Sequence, residues 1–239
     1  MILKVEEKKT DVLRLKSSGN SMRTTAWVFS FLFHPLFILT YMVLILLWTN
    51  PFSFGWRHVA EADTLLIIVV MTSVTLPAIA ILMMKMLGWI NDFRLETRHE
   101  RIGPYIASGI MYLSLYLHVS RADFPVSLRV VTLGSLLALW VCFFINNFIK
   151  VSLHAAGVGG LVALVALTKL TFGYSQAQIG IPGGVNVVLP LDYIMYGVIL
   201  IAGMVCTSRL ILKAHNLKEV YLGFIMGVLS ITIAYFILR

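Results

Sequence analysis

Long apolar segments recur along most of this 239-residue chain. Seven of them reach or approach the length that a helix needs to cross a bilayer, which is about 20 residues. They lie at 28–48, 63–87, 104–119, 128–148, 155–172, 192–207 and 219–238. Backbone polar groups in hydrocarbon must be satisfied within the segment, and no alternating barrel pattern is present. The pattern therefore predicts an all-α, polytopic transmembrane bundle of about seven helices, or six if one of the two short segments is re-entrant.

The polar segments predict a tail followed by one domain. Residues 1–26 are polar and mixed in charge, and they are too long and too acidic for the n-region of a signal peptide. We therefore expect the first apolar segment to be a retained membrane anchor and residues 27–239 to form a single transmembrane domain. The stretch GIPGG at 180–184 predicts a loop between the fifth and sixth apolar segments.

Composition supports a membrane protein. The chain is 59% hydrophobic and 13% charged, whereas soluble domains carry about 25% charged residues. The net charge is +8, but the basic residues flank the apolar segments, which favours contact with anionic membrane lipids over nucleic-acid binding. Cys142 and Cys206 lie inside apolar segments and are predicted to be buried, without a disulfide or a metal.

The distribution of basic residues predicts the orientation. With seven crossings, the N-terminus and the segments 88–103, 149–154 and 208–218 lie on one side of the membrane, and these segments hold most of the Lys and Arg. The positive-inside rule then places this side in the cytoplasm. We expect a multi-pass protein of a bacterial inner membrane with a cytoplasmic N-terminus.

Three polar segments on that predicted side carry candidate chemistry. In the first, NDFRLETRHERIGPY at 91–105, the arginines Arg94, Arg98 and Arg101 would share one helix face. Three aligned guanidinium groups can clamp a phosphate, because the planar fork matches its oxygens. The alternative is a loop that is held in the cytoplasm by its positive charge.

The second polar segment, KVSLHAAGVGG at 150–160, predicts the start of a helix. Ser152 stands at the N-cap position and His154 in the first turn, where free backbone N–H groups favour an anion. Gly157, Gly159 and Gly160 form a small-residue face that allows another helix to approach closely. The alternative for His154 is a structural histidine at the membrane interface.

The third polar segment is SRLILKAHNLKE, residues 208–219. His215 and Glu219 are spaced i, i+4, so the carboxylate can bind one imidazole nitrogen and leave the other available for nucleophilic attack. Arg209 ends the preceding apolar segment. The alternative is a basic turn beside the membrane with an incidental ion pair. Charged groups clustered at the membrane are functional candidates because their burial is costly.

Taken together, the three segments resemble the type 2 phosphatidic acid phosphatases, the membrane relatives of the vanadium haloperoxidases. The signatures of that family are KxxxxxxRP, PSGH and SRxxxxxHxxxD. The third is present as Ser208, Arg209, His215 and Glu219 at the family spacing, with Glu in place of Asp. The resemblance covers about residues 90–225.

The other two signatures are altered. VSLH at 151–154 keeps Ser152 and His154 but lacks the proline and the glycine. Arg94 and Arg101 keep the spacing of the first signature, with Arg in place of Lys and the proline displaced to Pro104. The family commonly places its site on the outer face of the membrane, whereas the charge bias of this chain predicts the cytoplasmic face.

The resemblance implies hydrolysis of a lipid phosphomonoester or pyrophosphate through a phosphohistidine, without a metal or other cofactor. His215 would be the nucleophile, Glu219 would orient it, and His154 would protonate the leaving oxygen. The phosphate would be held by a further set of residues, namely Arg94, Arg101, Ser152 and Arg209.

Two other functions fit parts of the sequence. A lipid-phosphate binder or transporter would keep the anion site and lack turnover, as the altered second signature allows. An intramembrane prenyltransferase would need paired acidic motifs to bind Mg²⁺, and Asp92 with Glu96 offers one incomplete pair.

Overall fold

The computed structural model describes residues 21–93, 98–122, 124–181 and 185–239. These residues form a bundle of α-helices with one short hairpin. The helices are α1 (Ser21–Leu32), α2 (Pro35–Thr49), α3 (Asp63–Val70), α4 (Leu76–Met86), α5 (Arg98–Arg121), α6 (Val126–Asn146), α7 (Leu153–Leu170), α8 (Leu191–Ile211) and α9 (Leu217–Leu238). Two 3₁₀ turns, Pro51–Phe54 and Val59–Ala62, precede α3, and a π-helical turn, Met71–Thr75, joins α3 to α4.

The fold confirms the prediction of a transmembrane helical bundle. Within the described residues, six helical segments are long and apolar enough to cross a membrane, and there are seven if α1 and α2 count as one broken span. The protein is therefore a multi-pass helical membrane protein. The sequence predicted a polar tail at 1–26. Its first 20 residues lie outside the described part of the chain, and α1 begins at Ser21, inside the predicted tail.

The first predicted crossing, 28–48, is not one straight helix. α1 and α2 meet at an angle of 61°. His34 between them is extended, with φ −62° and ψ 141°, and Pro35 is the first residue of α2. Because proline has no backbone N–H and disfavours a helical residue before it, the helix stops before Pro35 and restarts in a new direction.

Helix α2 packs against α3, α6 and α7. Its buried residues include Leu39, Met42, Leu46 and Leu47, which share one broad face of the helix, whereas Leu44 on the opposite face is only partly buried. An apolar surface all round is typical of a helix that spans a membrane.

Helices α7 and α9 pack with their backbones in contact, as the predicted glycine face of α7 requires. A Cβ added to Gly159 would lie 2.3 Å from the carbonyl oxygen of Phe224 on α9. On the other side of the contact, a Cβ added to Gly227 would lie 1.9 Å from the carbonyl oxygen of Ala156. The prediction of a close helix approach is confirmed for Gly159, whereas Gly157 faces the Ile38 side chain of α2.

A two-stranded hairpin connects α7 to α8 where the sequence predicted only a loop. Strands β1 (Gln176–Ile181) and β2 (Val185–Pro190) pair antiparallel, from Gln176 opposite Pro190 to Ile181 opposite Val185. Gly180 and Ile181 of the predicted loop belong to β1, and six-residue strands are too short to stand out by pattern. Residues 182–184 lie outside the described part of the chain.

The bundle has one polar end, made by the N-terminal ends of α2, α5, α7 and α9 and the C-terminal ends of α6 and α8. Three hydrogen bonds join these elements: Arg101 Nη1 donates to Asn146 Oδ1 (3.0 Å), Lys150 Nζ to the carbonyl of Ala214 (2.8 Å), and the Ser152 N–H to the carbonyl of Glu219 (3.3 Å). The described parts of the three polar segments therefore meet at one end, as the alternation of crossings predicted.

Candidate functional site

The turn between α8 and α9 is short and places His215 back against the end of α8. Lys213 adopts a positive φ of 53°, which closes the C-terminus of α8 in the left-handed conformation that usually favours glycine or asparagine. The N–H groups of Ala214 and His215 then donate to the carbonyl of Arg209, at 3.1 and 3.4 Å. Asn216 caps α9 with its side chain.

Glu219 holds His215 and also begins α9. Its Oε2 lies 2.9 Å from His215 Nδ1. A carboxylate accepts, so Nδ1 carries the proton and His215 Nε2 keeps a free lone pair. The same side chain forms a capping box with Asn216, whose side-chain oxygen accepts from the Glu219 N–H at 3.0 Å. Glutamate is a preferred residue at the third position of a helix with such a box. This local role is a reason for a glutamate at position 219, where the family that the sequence resembles has an aspartate.

The junction of α6 and α7 places Ser152 and His154 as the sequence predicted. Ser152 is the N-cap of α7 and accepts from the Ala155 N–H at 3.4 Å. It is fully buried beneath α9, where a Cβ on Gly223 would lie 2.4 Å from its carbonyl oxygen. His154 follows in the first turn and is partly buried. The close α7–α9 contact thus brings His154 to the same end as His215.

The break between α1 and α2 supplies two residues that sequence reasoning missed. The carbonyl of Ser30 lies 3.1 Å from His154 Nε2, which must therefore carry the proton. The hydroxyl of Ser30 accepts from Arg209 Nη1 at 2.5 Å. The His34 ring meets the His154 ring edge-on, with centroids 5.3 Å apart and planes at 85°. The sequence feature that could have indicated this contact is a histidine beside a proline in an apolar segment. This feature belongs to none of the three family signatures.

Arg209 is a partly buried cation, and no carboxylate of the described residues forms a salt bridge with it. Its Nε is buried and has no hydrogen-bond partner in the same part of the chain. A guanidinium group removed from water loses its hydration and gains from any anion that replaces it. We call His34, His154, Arg209 and His215 the His–Arg cluster. Its charge and its unfilled donor suit an anion.

The electrostatics of the cluster favour neutral imidazole at His215. Burial lowers the pKa of His215 well below its ordinary value of 6.5, and the positive charges of Arg209 and Lys150 lower it further. Glu219 opposes both effects through its hydrogen bond and its charge. At neutral pH the Nε2 lone pair of His215 is therefore free to act as a nucleophile or as a hydrogen-bond acceptor.

The structure brings together four of the predicted site residues: Ser152, His154, His215 and Glu219, with Arg209 in electrostatic range of both imidazoles. Arg101 lies at the same end and binds Asn146. Arg94 lies outside the described residues.

The fold and this site define a multi-pass helical membrane protein with a basic, histidine-rich cluster at one end of the bundle. Comparisons with protein-family models, curated proteins and solved structures found no match.

Proposed function

We propose that this protein is a membrane lipid phosphatase that hydrolyses a lipid phosphomonoester or pyrophosphate through a phosphohistidine. The observation that carries the proposal is Arg209, a partly buried guanidinium group with an unfilled donor and no acidic partner among the described residues, beside three imidazoles. A phosphate would satisfy this group, and His215 stands close to it in the tautomer that can attack phosphorus.

In the first step His215 Nε2 attacks phosphorus as the bond to the lipid oxygen breaks. The new P–N bond leaves a positive charge on the ring, which the Glu219 carboxylate stabilises through Nδ1–H. His154 takes up a second proton, at Nδ1, from solvent as the phosphate binds, and it gives that proton to the departing oxygen. The lipid leaves as an alcohol, or as a lipid monophosphate if the substrate is a pyrophosphate.

In the second step His154 takes a proton from water, and the hydroxide attacks the phosphohistidine. The P–N bond breaks, inorganic phosphate leaves, and His215 is restored. Arg209 and Ser152, with Arg94 and Arg101, would hold the equatorial oxygens and offset the charge that builds up on them.

The position of the cluster supports a lipid as substrate. It lies at one end of helices that are long and apolar enough to span a membrane, which is where lipid headgroups would meet the protein. An amphiphile that diffuses in the bilayer can present its phosphate at this depth while its chains remain in hydrocarbon. We propose that the polar end faces the cytoplasm, because the basic residues of the chain are concentrated there.

One observation favours a second candidate, a lipid-phosphate binder or transporter without turnover. His154 and Glu219 each make a bond that would stabilise the fold in any case, His154 to the Ser30 carbonyl and Glu219 to Asn216. An anion site with structurally engaged histidines would bind phosphate and release none.

Phosphate release distinguishes these functions. The purified protein in detergent is given a panel of lipid monophosphates and pyrophosphates, with and without EDTA. We expect release from at least one of them in both conditions, and a decrease of 1,000-fold or more (on the order expected for loss of a nucleophile) in His215→Ala. His58→Ala is the matched control, because His58 is exposed and outside the cluster.

Full activity in His215→Ala would end the phosphohistidine proposal. Binding of lipid phosphate without release would favour the binder, and release that stops in EDTA would favour metal-dependent chemistry such as that of a prenyltransferase.

A further inference from the structure

His34 stands at the bend between α1 and α2 and caps the second helix with its side chain. The N–H of Leu36 donates to His34 Nδ1 at 3.4 Å. A ring nitrogen that accepts from a backbone N–H has no proton of its own, so in the neutral ring the proton is on Nε2. The local structure therefore fixes the tautomer of His34 and leaves Nε2–H as a donor.

This donor lies within the His–Arg cluster. The ring of His34 contacts His154 edge-on at 5.3 Å, and His34 is in electrostatic range of Arg209. In the part of the chain that the structure describes, His34 Nε2 has no hydrogen-bond partner. The cluster thus holds two donors without an acceptor among the described residues, His34 Nε2–H and the buried Arg209 Nε–H.

We propose that His34 binds the phosphoryl group of the substrate, donating from Nε2 to an oxygen that Arg209 also binds. The inference rests on the proposed function and adds a ligand from the first crossing, outside the segments that resemble the family. A neutral imidazole donor suits this position. A second permanent cation here would repel the Arg209 guanidinium group strongly at low dielectric. His34 binds the same oxygen without that cost.

The variant His34→Asn separates binding from capping. Asparagine is a preferred N-cap, and its oxygen can take the place of Nδ1 and accept from Leu36. Its amide nitrogen lies nearer the backbone than Nε2 of the imidazole does, so the donor at the cluster is lost. His34→Ala removes both the cap and the donor.

The measurement is binding of inorganic phosphate to the full-length protein in detergent, by calorimetry, together with the melting temperature. We expect His34→Asn to melt close to the wild type and to bind phosphate about tenfold to a hundredfold more weakly. Its KM for the lipid substrate should rise by a similar factor. His34→Ala should show the same loss of affinity and a lower melting temperature.

If His34→Asn binds phosphate as tightly as an active wild type, His34 is only a helix cap and this inference fails while the proposed function stands. If the wild type itself neither binds phosphate nor releases it from any lipid, both proposals fail.

Discussion

Ser30 bonds to two members of the His–Arg cluster at once. Its hydroxyl accepts from Arg209 and its carbonyl accepts from His154. A bound phosphate would offer these donors a charged acceptor, which is stronger than a hydroxyl. At the scale of the residue, Ser30 therefore stabilises the phosphate-free protein, and on the proposed function it would compete with the phosphate for the same donors.

Removing the Ser30 hydroxyl should destabilise the protein in the absence of phosphate. In Ser30→Ala, Arg209 loses a hydrogen bond in a partly buried place, which costs about 1–3 kcal/mol. Inorganic phosphate would restore a partner to Arg209, so the rise in melting temperature on adding phosphate should be larger than in the wild type. The control is Ser21→Ala, an exposed serine on the same helix. Equal melting curves for Ser30→Ala and the wild type would contradict this account.

The titration of His215 predicts a loss of stability in acid. Its pKa in the folded protein is lowered below its ordinary value of 6.5, so the unfolded chain binds a proton that the folded protein does not. The stability that neutral His215 contributes is present above pH 6.5 and is lost as the pH falls below it. His215→Asn should flatten the decrease in melting temperature between pH 7 and pH 5.

A neighbouring cation should tune this titration. Lys150 contributes to the low pKa of His215, so Lys150→Gln should raise that pKa and move the acidic limb of phosphate release toward neutral pH. Lys213→Gln is the control, since Lys213 does not contribute to that pKa. An acidic limb that is identical in Lys150→Gln and the wild type would show that another group titrates there.

At the scale of the element, the contact between α7 and α9 fixes the geometry of the site. Gly159 and Gly227 allow the two backbones to touch, and Gly223 sits directly against Ser152. His154 is in the first turn of α7, and Glu219 is in the first turn of α9. A small separation of the two helices would therefore move the two imidazoles apart.

Gly227→Ala should disrupt this contact. Its Cβ would lie 1.9 Å from the Ala156 carbonyl oxygen, and backbone atoms cannot move aside as a flexible side chain can. We expect a loss of about 1–3 kcal/mol or more in stability, with a loss of phosphate binding in the protein that still folds. Gly203→Ala on α8 is the matched control, because nothing lies within 4 Å of its added Cβ. A Gly227→Ala protein that melts like Gly203→Ala would show that the helices do not pack this closely.

At the scale of the whole molecule, much of the architecture was predictable. The lengths of the apolar segments were enough to predict the transmembrane helices. The alternation of crossings was enough to predict that the segments around His154 and His215 lie at one end of the bundle. The bend at Pro35 was not predicted, because the apolar segment continues through it without a change in pattern. Ser30 and His34 were missed because they meet Arg209 and His154 through contacts more than a hundred residues apart in sequence, which no local spacing encodes.

The orientation of the whole bundle can be tested by labelling single cysteines in intact cells. With Cys142 and Cys206 replaced by Ala, we expect Ser53→Cys, between α2 and α3, to react with an impermeant maleimide. Lys213→Cys, at the polar end, should react only after the membrane is opened. Both positions are exposed in the structure. The reverse pattern would place the polar end outside the cell.

The site draws on residues from both extremes of the described chain, and this has a consequence for biogenesis. Ser30 and His34 enter the translocation machinery with the first helices, whereas His215 and Glu219 leave the ribosome on the order of ten seconds or more later. On the proposed function, a nascent polypeptide that ends with α8 would already bind an anion through Arg209, but it would lack His215, the attacking ring. On the proposed function, the growing chain is inert toward the lipids around it until membrane insertion is complete.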